Sequence, residues 1–154
     1  MYSIYKVGSK TIPYIKNPND VDLIALNCDC STYKSIYDKY SDSNTHLIMY
    51  YKTNVLEAPV LYWGVEYYMQ LIDGEDVCCF PEDFNNKEWI KKHLKRYFKK
   101  YSKNNKRMYQ LLLSCFRLEN KLDSLTDAEK EWVQLCHDGQ CPDDCYNYMK
   151  KLLA

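Results

Sequence analysis

The chain lacks the glycine-rich motifs that mark several large enzyme classes. It has four glycines in 154 residues, and none of them lies in a Walker phosphate-binding motif, which counts against a kinase or an ATPase. A Gly-x-Ser-x-Gly element is also absent, so the sequence offers no nucleophile motif of the serine-hydrolase type. The sequence therefore gives no indication of a kinase, an ATPase or a serine hydrolase.

The sequence also lacks a long apolar run. Hydrophobic residues make up 46% of the chain, but no stretch approaches the ~18 consecutive apolar residues of a membrane helix, so no membrane partner is expected. The first seven residues lack the charged start and apolar core of a secretory signal. We therefore expect a cytoplasmic protein. Sixteen tyrosines and an excess of Lys and Asn over Arg and Ala fit an AT-rich coding sequence. That bias is typical of a phage, acting in its host's cytoplasm, or of a low-GC bacterium.

Eight cysteines are present, and a cytoplasmic location makes free thiols the default. The only cluster with ligand-like spacing is Cys136-His137, Cys141 and Cys145. Zinc sites usually combine two closely spaced ligand pairs, whereas this cluster offers one, Cys141-x3-Cys145. The sequence favours buried free thiols and leaves structural zinc as the alternative.

Two short motifs near the amino end predict a phosphate and metal site. Gly8-Ser9 follows an apolar stretch, and a glycine before a small hydroxyl residue allows backbone amides to close around phosphate oxygens. Asp20 and Asp22 lie two residues apart at the start of a second apolar stretch, so in a strand both carboxylates project from one face. Two adjacent carboxylates repel each other unless a divalent cation lies between them. Lys10 and Lys16 are candidates for an additional cation beside the phosphates.

This arrangement of Gly8-Ser9 followed by Asp20-x-Asp22 resembles the DNA-polymerase-β-like nucleotidyltransferase superfamily, in particular small phage and bacterial members of the RNA-ligase-associated group. The likeness is best over the first thirty residues. It implies an enzyme that uses Mg²⁺, or Mn²⁺, and a nucleoside triphosphate. Asp20 and Asp22 would be catalytic metal ligands, and Gly8, Ser9, Lys10 and Lys16 would bind nucleotide.

Members of this superfamily usually carry a third carboxylate on a neighbouring strand. The corresponding stretch here, residues 58–63, contains no acidic residue. Glu57 precedes it and Glu66 follows it. We take Glu57 as the catalytic candidate, with Glu66, or no third acid at all, as the alternatives.

Residues 87–107 carry ten basic residues against one acidic residue, although the whole chain has a formal net charge of zero. Apolar residues recur in this segment at helical spacing, so a helix with one docked face and one cationic face is predicted. Such a face attracts polyphosphate. The candidate nucleic-acid-binding residues are Lys92, Lys95, Arg96, Lys99 and Lys103, and a merely solvated helix face is the alternative.

The predicted fold is α+β, in a single nucleotidyltransferase-like domain over residues 1–154. A small mixed sheet of nucleotidyltransferase type forms a catalytic core over 1–84, packed with a helical bundle over 85–154. Strands are predicted at 2–7, 21–27, 46–51 and 60–63, and helices at 31–40, 87–100, 106–121, 127–136 and 143–152. A short helix is predicted at 66–71.

Two functions follow from these patterns. The first is transfer of a nucleoside monophosphate from a triphosphate to a hydroxyl of RNA, a protein or a small molecule, with release of pyrophosphate. The second is nucleotide or nucleic-acid binding by a catalytically weak phage factor through the basic helix 87–107. The acceptor, the preferred base and homo-oligomer formation stay open.

Overall fold

The computed structural model describes residues 2–42, 44–50, 60–76 and 80–154. It confirms the predicted α+β class, with a four-stranded mixed sheet in the N-terminal half and helices that lie mostly in the C-terminal half. Two compact units share the chain. The first contains the described residues of Met1–Pro13, Asn17–Glu57 and Tyr68–Pro81, and the second those of Tyr14–Lys16, Ala58–Tyr67 and Glu82–Ala154.

The first unit is built on the sheet, whose strand order is β3-β2-β1-β4. Its strands are β1 Ser3–Val7, β2 Val21–Leu26, β3 Thr45–Tyr50 and β4 Gln70–Gly74. β1 pairs antiparallel with both β2 and β4, whereas β2 and β3 are parallel. A parallel pair needs a crossover connection, and helix α1, Cys30–Tyr40, provides it.

Side chains of the two central strands alternate between the faces of the sheet, as the period of a strand requires. Ile4, Leu23 and Ala25 form one buried cluster, which includes Ile36 of α1. The intervening residues of both strands form a second buried cluster, made of Tyr5, Val7, Ile24 and Leu26. Both faces of β1 and β2 are therefore buried, and the polar motifs lie at the ends of these strands.

Three strands predicted from the sequence, at 2–7, 21–27 and 46–51, correspond to β1, β2 and β3. The predicted helix at 31–40 is α1, and Asp29 caps its N-terminus. The Thr32 N–H donates to Asp29 Oδ1 at 2.7 Å. A carboxylate in this position satisfies a free backbone donor and also interacts favourably with the helix dipole.

Helices make up the second unit: α2 Trp63–Glu66, α3 Lys87–Lys100, α4 Met108–Leu118, α5 Asp127–His137 and α6 Asp143–Leu152. The last four were predicted, although α4 is shorter than 106–121, since Asn120 has a left-handed φ of 57° that no helix can accommodate. α4 lies at the centre of the unit, and its Leu111, Leu112 and Phe116 are fully buried. α5 begins with a capping box formed by Thr126 and Glu129.

Two predictions between residues 60 and 74 are wrong. Residues 60–63 were predicted as a strand but form a 3-10 turn followed by α2. α2 lies so close to α4 that a Cβ on Gly64 would overlap the backbone of Leu113 and Ser114, and the Gly64 N–H donates to Ser114 Oγ at 3.0 Å. A helix was predicted at 66–71, yet Gln70–Gly74 is strand β4, paired with β1. In both segments, tertiary packing determines the secondary structure.

Within the part of the chain that the structure describes, no helix has both the length and the apolar character needed to cross a membrane.

Candidate active site

Gly8 ends β1 and begins a tight turn. Its φ of 82° lies in a region that residues with a side chain rarely adopt. A 3-10 turn over Ser9–Thr11 follows, in which the Thr11 N–H donates to the Gly8 carbonyl at 3.1 Å and the Thr11 hydroxyl donates to the same oxygen at 2.6 Å. The turn is therefore fixed by local hydrogen bonds.

The Gly8 turn lies directly against Asp22. Val7 and Asp22 are partners in the antiparallel register of β1 and β2, which brings the two sequence motifs together at one end of the sheet. A Cβ on Gly8 would come within 2.5 Å of Asp22 Oδ2, closer than Cβ atoms approach other heavy atoms. Thus the backbone of the glycine, without any intervening side chain, forms one wall beside this carboxylate.

Ser9 connects the turn to the loop that carries Asp20. It is buried, with 1% of its surface exposed, and its Oγ accepts a hydrogen bond from the Asn19 N–H at 2.8 Å. This bond fixes the residue immediately before Asp20 relative to the Gly8 turn. Sequence reasoning assigned the Ser9 hydroxyl to phosphate binding; the structure gives it a positioning contact.

Asp20 and Asp22 lie at the start of β2. Asp20 is exposed and Asp22 is partly buried. Burial raises the pKa of Asp22, an effect that His46 opposes and the charge of Asp20 increases. Asp20 precedes Val21, the first residue of β2, and its charge has the smallest of these effects on Asp22. In this environment the negative charge of Asp22 is destabilised, and a bound cation would stabilise it.

His46 is a neighbour of this site that the sequence did not reveal. The parallel register of β2 and β3 places His46 beside Asp22, and its Nδ1 lies 3.5 Å from Asp22 Oδ1. The sequence did not indicate that His46 contacts Asp22. Strand pairing across the β2–α1–β3 crossover creates this contact, and its only signal in the sequence is the position of His46 near the start of β3.

The two lysines predicted to bind nucleotide fall in different units. Lys10 is exposed on the turn next to Ser9, as a cation for phosphate should be. Lys16 belongs to the second unit, where its backbone N–H donates to Gln134 Oε1 at 2.7 Å. Within the first unit, Lys10 is the predicted lysine that lies next to the Gly8 turn.

The third carboxylate is not located on either strand beside β2. Glu57 lies outside the described residues. Glu66 is on α2 in the second unit, buried, and interacts electrostatically with Arg117. β1 and β3, within their described ranges Ser3–Val7 and Thr45–Tyr50, carry no acidic residue, and the position beside Asp22 on β3 is His46.

The predicted basic helix is α3. Its apolar side buries Ile90 and Leu94, and its opposite side carries four of the predicted nucleic-acid ligands, Lys92, Lys95, Arg96 and Lys99, which we call the α3 cationic face. Of these, Lys95 is partly buried and the others are exposed. Lys103, the fifth, forms an ion pair with Asp143 and is thereby partly neutralised.

We compared the chain with protein-family models, with curated proteins and with solved structures, and it matches none of them. Any functional conclusion therefore depends on the geometry of the site itself.

Proposed function

We propose that the protein is a metal-dependent nucleotidyltransferase, which moves a nucleoside monophosphate from a nucleoside triphosphate to a hydroxyl acceptor and releases pyrophosphate. The observation that supports this most is the approach of the Gly8 backbone to Asp22, where a Cβ would lie 2.5 Å from Oδ2. A phosphate-binding turn and a metal-binding carboxylate must be adjacent in such an enzyme, because the metal bridges them.

The donor set suits a hard divalent cation. Asp20 and Asp22 offer carboxylate oxygens, the ligands preferred by Mg²⁺, which also retains water and binds substrate phosphates. Mn²⁺ accepts the same ligands. The raised pKa of Asp22, caused first by burial and increased by Asp20, indicates a carboxylate whose charge the protein alone compensates incompletely. A cation would supply the missing compensation.

Each residue has a distinct part in the proposed reaction. Asp20 and Asp22 would hold the metal, which supplies charge stabilisation for the transferred and departing phosphates. The absence of a side chain at Gly8 leaves room for the Asp22 carboxylate beside the turn, and Lys10 would add positive charge on the same turn. His46 lies beside the other carboxylate oxygen of Asp22, Oδ1. The acceptor oxygen forms a bond to the α-phosphorus as the bond to the β-phosphate oxygen breaks. Its proton passes to water or to Glu57, the predicted third carboxylate.

Label transfer tests this proposal. The full chain would be incubated with each α-³²P-labelled nucleoside triphosphate, Mg²⁺, and total RNA or a protein extract as the acceptor. We expect labelled acceptor and pyrophosphate. Both products should fall about 100-fold or more in Asp20→Asn and Asp22→Asn, the scale measured when one electrostatic stabiliser of a transition state is lost. Asp38→Asn, which alters an exposed carboxylate on α1, is the matched control. Transfer that survives both site substitutions would exclude the proposal.

The α3 cationic face supports a second candidate function, nucleic-acid binding without catalysis. Three of its four cations are exposed, and the described part of the helix contains a single acidic residue, Glu88. Binding should weaken steeply with salt, and each lost phosphate contact should reduce the slope of log K against log salt by ~0.9 for duplex DNA.

Charge reversal separates the two functions. Lys95→Glu with Lys99→Glu should abolish binding, whereas the same reversal at the exposed Lys150 and Lys151 of α6 should have little effect. Binding that persists in Asp22→Asn but is lost on the α3 reversal would favour this candidate over the enzyme. Absence of binding at low salt would exclude it.

A further inference from the structure

Three buried cysteines converge at the junction of α5 and α6 in the second unit. Cys136 lies at the end of α5, Cys141 in the connection and Cys145 in the first turn of α6. Their sulfur atoms all lie within 4.8 Å of one another. Cys136 and Cys145 are fully buried, and Cys141 is 5% exposed. Among the described residues they form the one group of three or more ligand-type side chains at this spacing.

The sulfur separation matches metal coordination. Two thiolates bound to one tetrahedral zinc ion, with Zn–S bonds of about 2.3 Å, must lie about 3.8 Å apart. The distance between the Cys136 and Cys145 sulfurs is 3.7 Å. A disulfide would require about 2.05 Å between the sulfurs, so Cys136 and Cys145 are not bonded to each other in this structure, and the Cys141 sulfur lies within 4.8 Å of both.

We propose that Cys136, Cys141 and Cys145 bind one thiophilic divalent metal ion of the Zn²⁺ class through their three sulfurs, with water or a small external ligand in the fourth position. All three ligands come from ten consecutive residues, so the ion would connect the end of α5 to the start of α6. Sequence reasoning favoured free thiols because it expected two closely spaced pairs. The fold supplies the third ligand instead, since the turn after α5 brings Cys136 back to the other two.

The fold favours negative charge at one of the three ligands. Cys145 lies in the first turn of α6, where the helix N-terminus favours a thiolate. Three thiolates and a divalent ion carry a net charge of −1. Lys103, which forms an ion pair with Asp143 in the same turn, adds a cation at this end of the helix.

Metal analysis of the full chain tests this. Protein purified under reducing conditions, loaded with Zn²⁺ and then dialysed against metal-free buffer should retain about one ion per chain. Retention should fall at least tenfold in Cys136→Ala, Cys141→Ala and Cys145→Ala. Cys30→Ser, which alters an exposed cysteine outside the cluster, should retain the ion. A wild-type protein that keeps no metal would overturn the inference, as would retention unchanged in all three alanine variants.

Cobalt provides a readout that does not depend on how well the variants fold. Co²⁺ added to the wild-type chain should give thiolate-to-metal charge-transfer absorption and the visible bands of tetrahedral coordination, both removed by an equivalent of Zn²⁺. Alkylation followed by mass spectrometry should then show three cysteines protected by Zn²⁺ and identify them as this cluster. A disulfide between any two of them in the reduced preparation, or a cobalt spectrum without charge transfer, would overturn the proposal.

Discussion

Gly8→Ala is the most informative single substitution in the first unit, because two independent effects should destabilise the protein. The φ of 82° is unfavourable for alanine, and conformations of this kind cost about 1–3 kcal/mol. The new Cβ would also lie 2.5 Å from Asp22 Oδ2, so the carboxylate must move. We expect a total loss of about 3 kcal/mol in the free energy of unfolding, or about 10 °C in Tm for a chain of this size. Displacement of a metal ligand by about 1 Å should reduce transfer about 100-fold.

A double-mutant cycle with Asp22→Ala separates the two effects. Without the Asp22 side chain the overlap disappears, and Gly8→Ala should then cost only its backbone term, giving a coupling of about 0.5–3 kcal/mol. Urea denaturation of the four proteins measures it. Gly139→Ala is the control, because Gly139 also has a positive φ, of 78°, but lies in the second unit. Equal losses from Gly8→Ala in both backgrounds would refute the close approach of glycine and carboxylate.

Three further predictions concern single contacts. Burial raises the pKa of Asp22, so the folded state binds the Asp22 proton more tightly than the unfolded state does. The stability that this bound proton contributes is therefore lost as the pH rises through the folded-state pKa. Asp22→Asn should therefore gain stability relative to wild type between acidic and neutral pH in urea titrations, and a constant difference would contradict this. Ser114→Ala should cost about 1–3 kcal/mol by urea denaturation, because it leaves the buried Gly64 N–H without its acceptor. Thr126→Ala should cost about 1 kcal/mol, because the Glu129 N–H loses its acceptor at the start of α5, and a loss below ~0.3 kcal/mol would contradict the capping box.

The local sequence pattern was sufficient to predict a helix wherever no long-range contact favoured a different structure. α3, α5 and α6 were predicted almost to the residue, since periodic apolar positions and caps lie within each segment. Residues 60–63 have an apolar, aromatic pattern typical of a strand, yet they form a 3-10 turn and the start of α2, where Gly64 permits close contact with α4. That contact involves residues fifty positions away, and no local pattern encodes it. Likewise β4 is defined by its pairing with β1.

In the candidate site, too, some features were predicted from the sequence and others depend on long-range strand pairing. The sequence identified Gly8 and Asp22 as separate motifs, and their adjacency follows from antiparallel pairing of the two strands that carry them. The position of His46 beside Asp22 depends on the parallel register of β2 and β3, which the residues of β3 alone do not specify. The cysteine cluster was visible as a spacing, but its third ligand depended on the turn between α5 and α6.

The two proposed metal sites differ in ligand chemistry, so their tests are independent. Asp20 and Asp22 offer hard oxygen ligands, which select Mg²⁺ or Mn²⁺, whereas the cysteine cluster offers soft sulfur ligands, which select Zn²⁺. Dialysis should remove Mg²⁺, which is bound largely through substrate phosphates and water, and leave Zn²⁺ in place. If the cluster has a purely structural role, a folded Cys141→Ala variant should lose Zn²⁺ yet keep Mg²⁺-dependent transfer, while Asp22→Asn should lose transfer yet keep Zn²⁺. Loss of Zn²⁺ in Asp22→Asn would show that the zinc is bound at the carboxylates, and the assignment of sulfur ligands would then be wrong.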